Sequence, residues 1–173
     1  MILVAEASCV RKSARAAVVS WNSHRIKRVV KSTLAAEGAA LSEAQDQLEY
    51  ARVLFMQMLG RVEGRNWQEA LKMPGYLVMD AKSLYDSLMK PGSMPKEKRV
   101  ALDLAAIQEA LARETDFARW TPTMHMLADV LTKLMVKVPP YLEYALSRGR
   151  ASLVESAEAQ NVLDGRQATD AGV

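Results

Sequence analysis

A chain of 173 residues, half of them apolar, can bury the core of one domain. Its lone cysteine, Cys9, excludes an intrachain disulfide and a cysteine-built zinc cluster. No apolar run reaches the length of about eighteen residues that a membrane span requires. The 23 basic and 20 acidic residues leave a net charge of +3, unevenly placed: Arg11, Lys12, Arg15, His24, Arg25, Lys27, Arg28 and Lys31 all precede the first long helix. The N-terminal MILVAEASCVRK lacks the basic start, long apolar stretch and small-residue cleavage site of a secretory signal. The expectation is therefore an intracellular, soluble protein, cytoplasmic or nuclear, with no membrane partner.

Met1 to Glu6 opens on the β-prone run ILV, and Ala16 to Trp21 repeats its character with AVVSW, so the two read as a hairpin joined by a basic loop. From Thr33 the pattern changes. Leu34, Leu41, Leu48 and Phe55 recur at seven-residue intervals, with Leu54 and Met58 thickening the stripe, and Ser32 or Thr33 can cap the resulting amphipathic helix. Gly60 and Gly64 close it. After a loop containing Trp67 and Pro74, the unbroken apolar run Tyr76-Leu77-Val78-Met79 reads as a strand buried on both faces, with Asp80 at its end.

Ser83 to Lys90 predicts a short helix that Pro91-Gly92 breaks, and Pro95 opens another with a core face of Val100, Leu104, Ile107 and Leu111. Phe117 to Thr121 reads as a short strand. Met124, Leu127, Ala128, Leu131 and Met135 define a further helix, and Pro139-Pro140 separates it from a last helical piece at Tyr141 to Leu146. The organisation expected is one domain over 1–150 and a polar tail over 151–173, of which Ser156 to Val173 reads as disordered. Strands interleaved with helices imply an α/β fold, a mixed sheet flanked by helices. A plain helical interaction protein would require VVSW and YLVMD not to be strands.

Three carboxylates stand where acids could do chemistry. Glu37, three residues after Leu34 and four before Leu41, points with the apolar stripe, where a carboxylate needs a partner; the bland alternative is an acid at the stripe's margin, favoured by the helix dipole. Asp80 stands at the carboxyl end of a strand, the edge of an open α/β sheet where ligands bind, or else caps the helix that follows. Asp129 sits in the expected helix after His125 and before Lys133, where an Asp-Lys surface pair would also explain it. Together they suit a hard cation bound through oxygen, and hence phosphodiester hydrolysis, with the basic entry segment holding a nucleic-acid backbone. Met56, Met58, Met124 and Met126 read as core filler, and Trp21 and Trp120 as core residues sooner than base-stacking platforms.

The segments VVSWNSHRIKRVVKSTLAAEGAAL, VMDAKSLYD and RWTPTMHMLADVLTK, in that order, resemble the ribonuclease H domain of copia-type retrotransposon polyproteins. They are similar to its SW-S…ST-x-AE-x-x-AL, its D-x-x-S strand end and its V-P-T…LAD-x-LTK segment, over roughly Met1 to Val136. The resemblance implies a ribonuclease H-like three-layer fold with sheet order 3-2-1-4-5. It also implies that Glu37, Asp80 and Asp129 are catalytic ligands to two magnesium ions, with manganese as a substitute. The implied substrate is the RNA strand of an RNA/DNA hybrid, contacted by His24, Arg25, Lys27, Arg28 and Lys31, and the implied partner is the reverse transcriptase part of the same polyprotein.

One departure bears on activity. The family's first strand carries another metal-binding aspartate, and MILVAE aligns instead with the second strand, which makes the expected domain N-terminally truncated and active only if another segment supplies that strand. A rival alignment takes MILVAE as the first strand, with Glu6 in place of the aspartate. The alternative function is a catalytically dead retroelement remnant that binds nucleic acid non-specifically through its basic N-terminal segment.

Overall fold

The β-prone runs Ile2–Ala5 and Ala14–Ser20 form the first two strands, β1 and β2, of a computed structural model that describes residues 1–23, 29–90, 95–129 and 140–153. The chain is mixed α/β, and it divides into two compact units, Met1–Ser23 with Thr121–Val173, and His24–Trp120.

In the first unit β1 and β2 pair antiparallel, as the hairpin reading expects, with Val4 opposite Ala17 and Ala5 opposite Ala16. A single 3-10 turn, Ala7–Val10, occupies the connection. Arg150–Ala151 adds a strand to β2 that no sequence signal announces, held by the Arg150 guanidinium donating to the Ser13 carbonyl at 2.8 Å. Pro140–Arg148 is helical, as expected, and buries Leu142 and Ala145. Met124 lies in a 3-10 turn, Thr123–His125, and residues 127–128 form a turn, so the helix expected through Met124, Leu127 and Ala128 does not start there. Leu131, Lys133 and Met135 lie outside the described residues, as does the tail from residue 154. His125 is buried edge-on against the Tyr141 ring, centroids 4.4 Å apart, and among the described residues neither ring nitrogen has a hydrogen-bond partner.

The second unit is organised by α1, Thr33–Met58. Ser32 is its N-cap, the hydroxyl accepting from the Ala35 N–H at 3.1 Å, and Ser32→Ala is expected to lower unfolding free energy by about 1 kcal/mol in a urea titration. Gly60, at φ 65°, closes the helix: its N–H reaches the Gln57 carbonyl and the Arg61 N–H the Met56 carbonyl, a paired termination that needs a left-handed residue. The buried positions advance as Gly38, Leu41, Gln45 and Arg52, with Leu34 and Leu48 packed beside the core. Leu54 (41% exposed) and Met58 (85%) do not thicken this stripe, because at 100° per residue Leu54 lies about 200° around the helix from Arg52.

The remaining elements of this unit are β3 (Gly75–Met79), α2 (Lys82–Met89), α3 (Lys98–Leu111) and β4 (Asp116–Trp120). β3 and β4 run parallel, Leu77 opposite Ala118 and Met79 opposite Trp120. Gly75, Leu77 and Met79 are buried while Tyr76 and Val78 are only half-buried, so β3 has one core face, not two. A parallel pair this small needs helices against it to hold. Leu77, Met79 and Ala118 meet Ala35 and Leu41 of α1, Leu84 and Leu88 of α2, and Val100, Leu104 and Ile107 of α3 in one cluster. Leu111 packs at its margin.

The described strands therefore form a three-stranded antiparallel sheet, ordered β1-β2 and then Arg150–Ala151, and a two-stranded parallel one, where a single mixed sheet was expected. VVSW and YLVMD contribute strands in both cases, which excludes a purely helical protein. No described helix is long and apolar enough to cross a membrane. Trp21, 67% exposed, and Met124, 69% exposed, are not core residues, since Trp21 follows the last paired residue of β2 and Met124 sits in an isolated turn.

Candidate functional site

Because β3 and β4 are parallel and in register, their carboxyl ends share one edge, and the chain delivers Asp80 there directly after Met79. Asp80 does not cap α2. That helix starts from Ala81 with no side-chain cap, and no hydrogen bond or ion pair to the Asp80 carboxylate is made by the described residues. Its backbone carbonyl is held instead: the Trp120 indole N–H donates to it at 3.0 Å, tying the end of β4 to the residue after β3.

Glu37 reaches this region from the first turns of α1. It is half-buried, between Leu34 and the fully buried Leu41, as its place on the stripe requires. Burial pushes its carboxyl above the usual range, and the neighbouring Asp80 carboxylate pushes it further in the same direction. Two acids from separate elements thus share one locality, and the Asp80 charge adds to the cost of ionising Glu37. A carboxyl whose pKa is raised on folding binds its proton more tightly in the folded state, so its ionised form opposes folding. Glu37→Gln is accordingly expected to stabilise the metal-free protein at neutral pH, with the advantage fading as pH falls through the raised Glu37 pKa and gone once pH is below about 4.5, the unperturbed value; thermal melts across pH check this.

Asp129 belongs to the other unit, half-buried just after the turn at 127–128, with its N–H bonded to the Met126 carbonyl at 3.1 Å. Among the described residues, no group of three or more His, Cys, Asp or Glu side chains is arranged to hold a metal ion. Glu6, the acid of the rival alignment, is engaged elsewhere: Arg15 Nε donates to it at 2.7 Å and the Arg15 N–H at 3.2 Å, which together hold its pKa below the usual range. Of the basic residues expected to contact nucleic acid, Lys31 is exposed, while His24, Arg25, Lys27 and Arg28 lie outside the described residues.

Lys82, not singled out by sequence reasoning, stands two residues beyond Asp80. Its ammonium lies 4.9 Å from the Tyr85 ring centroid and 5.4 Å from that of Trp120, and pairs with Asp86 at 3.1 Å. The D-x-x-S segment placed Asp80 and Ser83 in view, but the ring contact with Trp120 joins residues far apart in sequence.

A second charged cluster is structural. Arg52, in stripe register on α1, is buried against Asp116 at the start of β4, its guanidinium 2.5 Å from the carboxylate, and it also donates to the Met73 carbonyl at 3.0 Å. Arg113 pairs with Glu49 and lies 3.4 Å from Asp116. Burial raises the Glu49 pKa, but the hydrogen bonds from Arg113 and Gln45 outweigh it and hold the carboxyl below its usual range. An open cleft of about 320 Å³ between α1 and α3 borders this cluster, lined by Gln45, Asp46, Glu49, Glu109 and Arg113. Neither Glu37 nor Asp80 lines it. A charged residue falling on an apolar stripe is the signal that could have marked Arg52 beforehand.

Compared with protein-family models, curated proteins and solved structures, the chain matches none.

Proposed function

We propose that the chain is a ribonuclease H-like domain of the copia type, which binds RNA/DNA hybrids and, with magnesium, hydrolyses their RNA strand. The observation that carries this reading is the electrostatic coupling of Glu37 and Asp80, delivered by α1 and by the carboxyl end of β3 to one locality. Strand connectivity supports it as well. An antiparallel hairpin precedes the long helix, and a parallel pair follows, the pairings found at the two ends of a 3-2-1-4-5 sheet. Two strands, not three, precede α1 among the described residues, which favours reading MILVAE as the second strand.

The acid pair fits a hard cation. Magnesium takes one or two carboxylates along with phosphate oxygens and water; Glu37 and Asp80 are the residues that would hold it, and its charge would offset the burial and the Asp80 charge that raise the Glu37 pKa. When bound, magnesium supplies charge stabilisation at the reacting phosphate and activation of water; manganese can substitute. Glu37 must give up its proton to serve as a ligand, so metal binding strengthens as pH rises through its raised pKa. The Trp120 hydrogen bond to the Asp80 carbonyl limits the motion of the strand end and so keeps Asp80 in place. Lys31 and the basic residues before it would neutralise phosphates in a sequence-independent, salt-sensitive manner. In this reading the reverse transcriptase of the same polyprotein is the natural neighbour.

A second reading has its own support. Among the described residues only two acids are coupled and no three-ligand group forms, as in a remnant that binds nucleic acid without cutting it. Incubating the full chain with labelled RNA/DNA hybrid separates the two: magnesium-dependent RNA cleavage supports the nuclease, whereas equal binding of all duplexes, unaffected by magnesium, supports the remnant.

A further inference from the structure

Resting on the nucleic-acid reading above, we propose that Lys82 is a phosphate-contacting residue of the site, held at the carboxyl edge of the β3–β4 pair by the rings of Tyr85 and Trp120. An exposed lysine ordinarily samples many rotamers, and ordering it against a phosphate costs side-chain entropy. Here much of that ordering exists beforehand. The ammonium is within cation–π range of two ring faces, 4.9 and 5.4 Å from their centroids, while the side chain stays 58% exposed and so open to a ligand.

Trp120 cannot swing away freely, because its indole N–H is bonded to the Asp80 carbonyl. One ring therefore links the acid's backbone to the lysine's ammonium. Asp86, the remaining partner of Lys82, is a one-turn neighbour on the same helix with its side chain 43% exposed, a pairing that solvent screens and that holds Lys82 only weakly. A phosphate can displace or share that contact, and the rings keep the ammonium at the edge when it does. The result is a cation held against the ring whose indole N–H bonds the Asp80 carbonyl, at the strand edge where Asp80 stands. A phosphodiester approaching Glu37 and Asp80 meets like charge, and an ammonium held on the Trp120 ring at the same strand edge offsets part of it. Lys82 touches the substrate in this account, whereas Trp120 acts through Asp80 and Lys82 and is a positioning residue.

The test measures binding of the full chain to an RNA/DNA hybrid in calcium or without metal, over a range of salt concentrations. Each phosphate contact contributes about 0.7–0.9 to the slope of log affinity against log salt. Lys82→Gln is expected to weaken binding several-fold and reduce that slope by about one contact, and Lys82→Arg to restore both. Trp120→Phe keeps a ring beneath the ammonium but removes the donor to Asp80; it should leave the salt slope near wild type while weakening the magnesium-dependent rise in melting temperature. Wild-type binding with an unchanged slope in Lys82→Gln overturns the assignment alone. Absence of hybrid binding by the wild-type chain at low salt overturns both this assignment and the reading on which it rests.

Discussion

Truncation of Asp116 to alanine is expected to lower the unfolding free energy by about 3–5 kcal/mol, read from the urea midpoint of the full chain. The side chains of Arg52 and Asp116 are 1% and 2% exposed, so removing the carboxylate leaves a guanidinium without its counter-charge and out of reach of water. The remaining contacts do not compensate, since Arg52 would keep only carbonyl acceptors, Met73 at 3.0 Å and Leu71 at 3.4 Å. Gly75 is part of the same arrangement. A Cβ there would stand 2.9 Å from the Arg52 guanidinium carbon and 3.0 Å from an Asp116 oxygen, so Gly75→Ala should also destabilise, by roughly 1–3 kcal/mol through overpacking. A loss under about 1 kcal/mol in Asp116→Ala would mean that the pair is not buried as described.

On the proposed nuclease reading, Asp80→Asn carries the largest expected effect on function. The substitution keeps size and shape but removes the charge, so hybrid cleavage should fall by about a thousandfold or more, the equivalent of several kcal/mol of lost transition-state stabilisation. Two further readouts accompany it. The magnesium-dependent rise in melting temperature should disappear, since a cation saturating the wild-type site at about 100 times its dissociation constant stabilises by roughly 2.7 kcal/mol and an absent site by nothing. The Glu37 pKa should also fall back toward its ordinary value, because one of the two causes of its elevation is the Asp80 charge. Full activity and an unchanged magnesium response in Asp80→Asn would remove Asp80 from the chemistry. A return of the Glu37 pKa without any magnesium response in the wild type would leave the acid pair real and the metal site wrong.

Elements governed by local rules were legible before the structure. The β1–β2 hairpin follows from two β-prone runs, α1 from its stripe and the Ser32 cap, and α3 from the spacing of Val100, Leu104 and Ile107, because propensity, periodicity and capping act within a few residues. The positions of Glu37 and Asp80 on a stripe and at a strand end were legible for the same reason. Exposure was less so. Trp21, Leu54 and Met58 carry apolar surface yet stand in solvent, since hydrophobicity describes a preference and not the presence of a neighbour. The helix expected through Met124 to Ala128 is replaced in the described residues by short turns, a tertiary override of a local pattern.

By itself the sequence determined the kinds of element, their order along the chain and the acids that end up on α1 and after β3. Only the tertiary structure decided which charges are buried together and which rings hold which cations. Arg52 meets Asp116, Trp120 bonds the Asp80 carbonyl and Lys82 settles over two rings, all contacts made when β3 and β4 come into register beside α1 and α2. The physical reason is range. Backbone preference acts over a turn of helix or a few strand residues, whereas desolvation and charge pairing depend on which distant segments exclude water from one another.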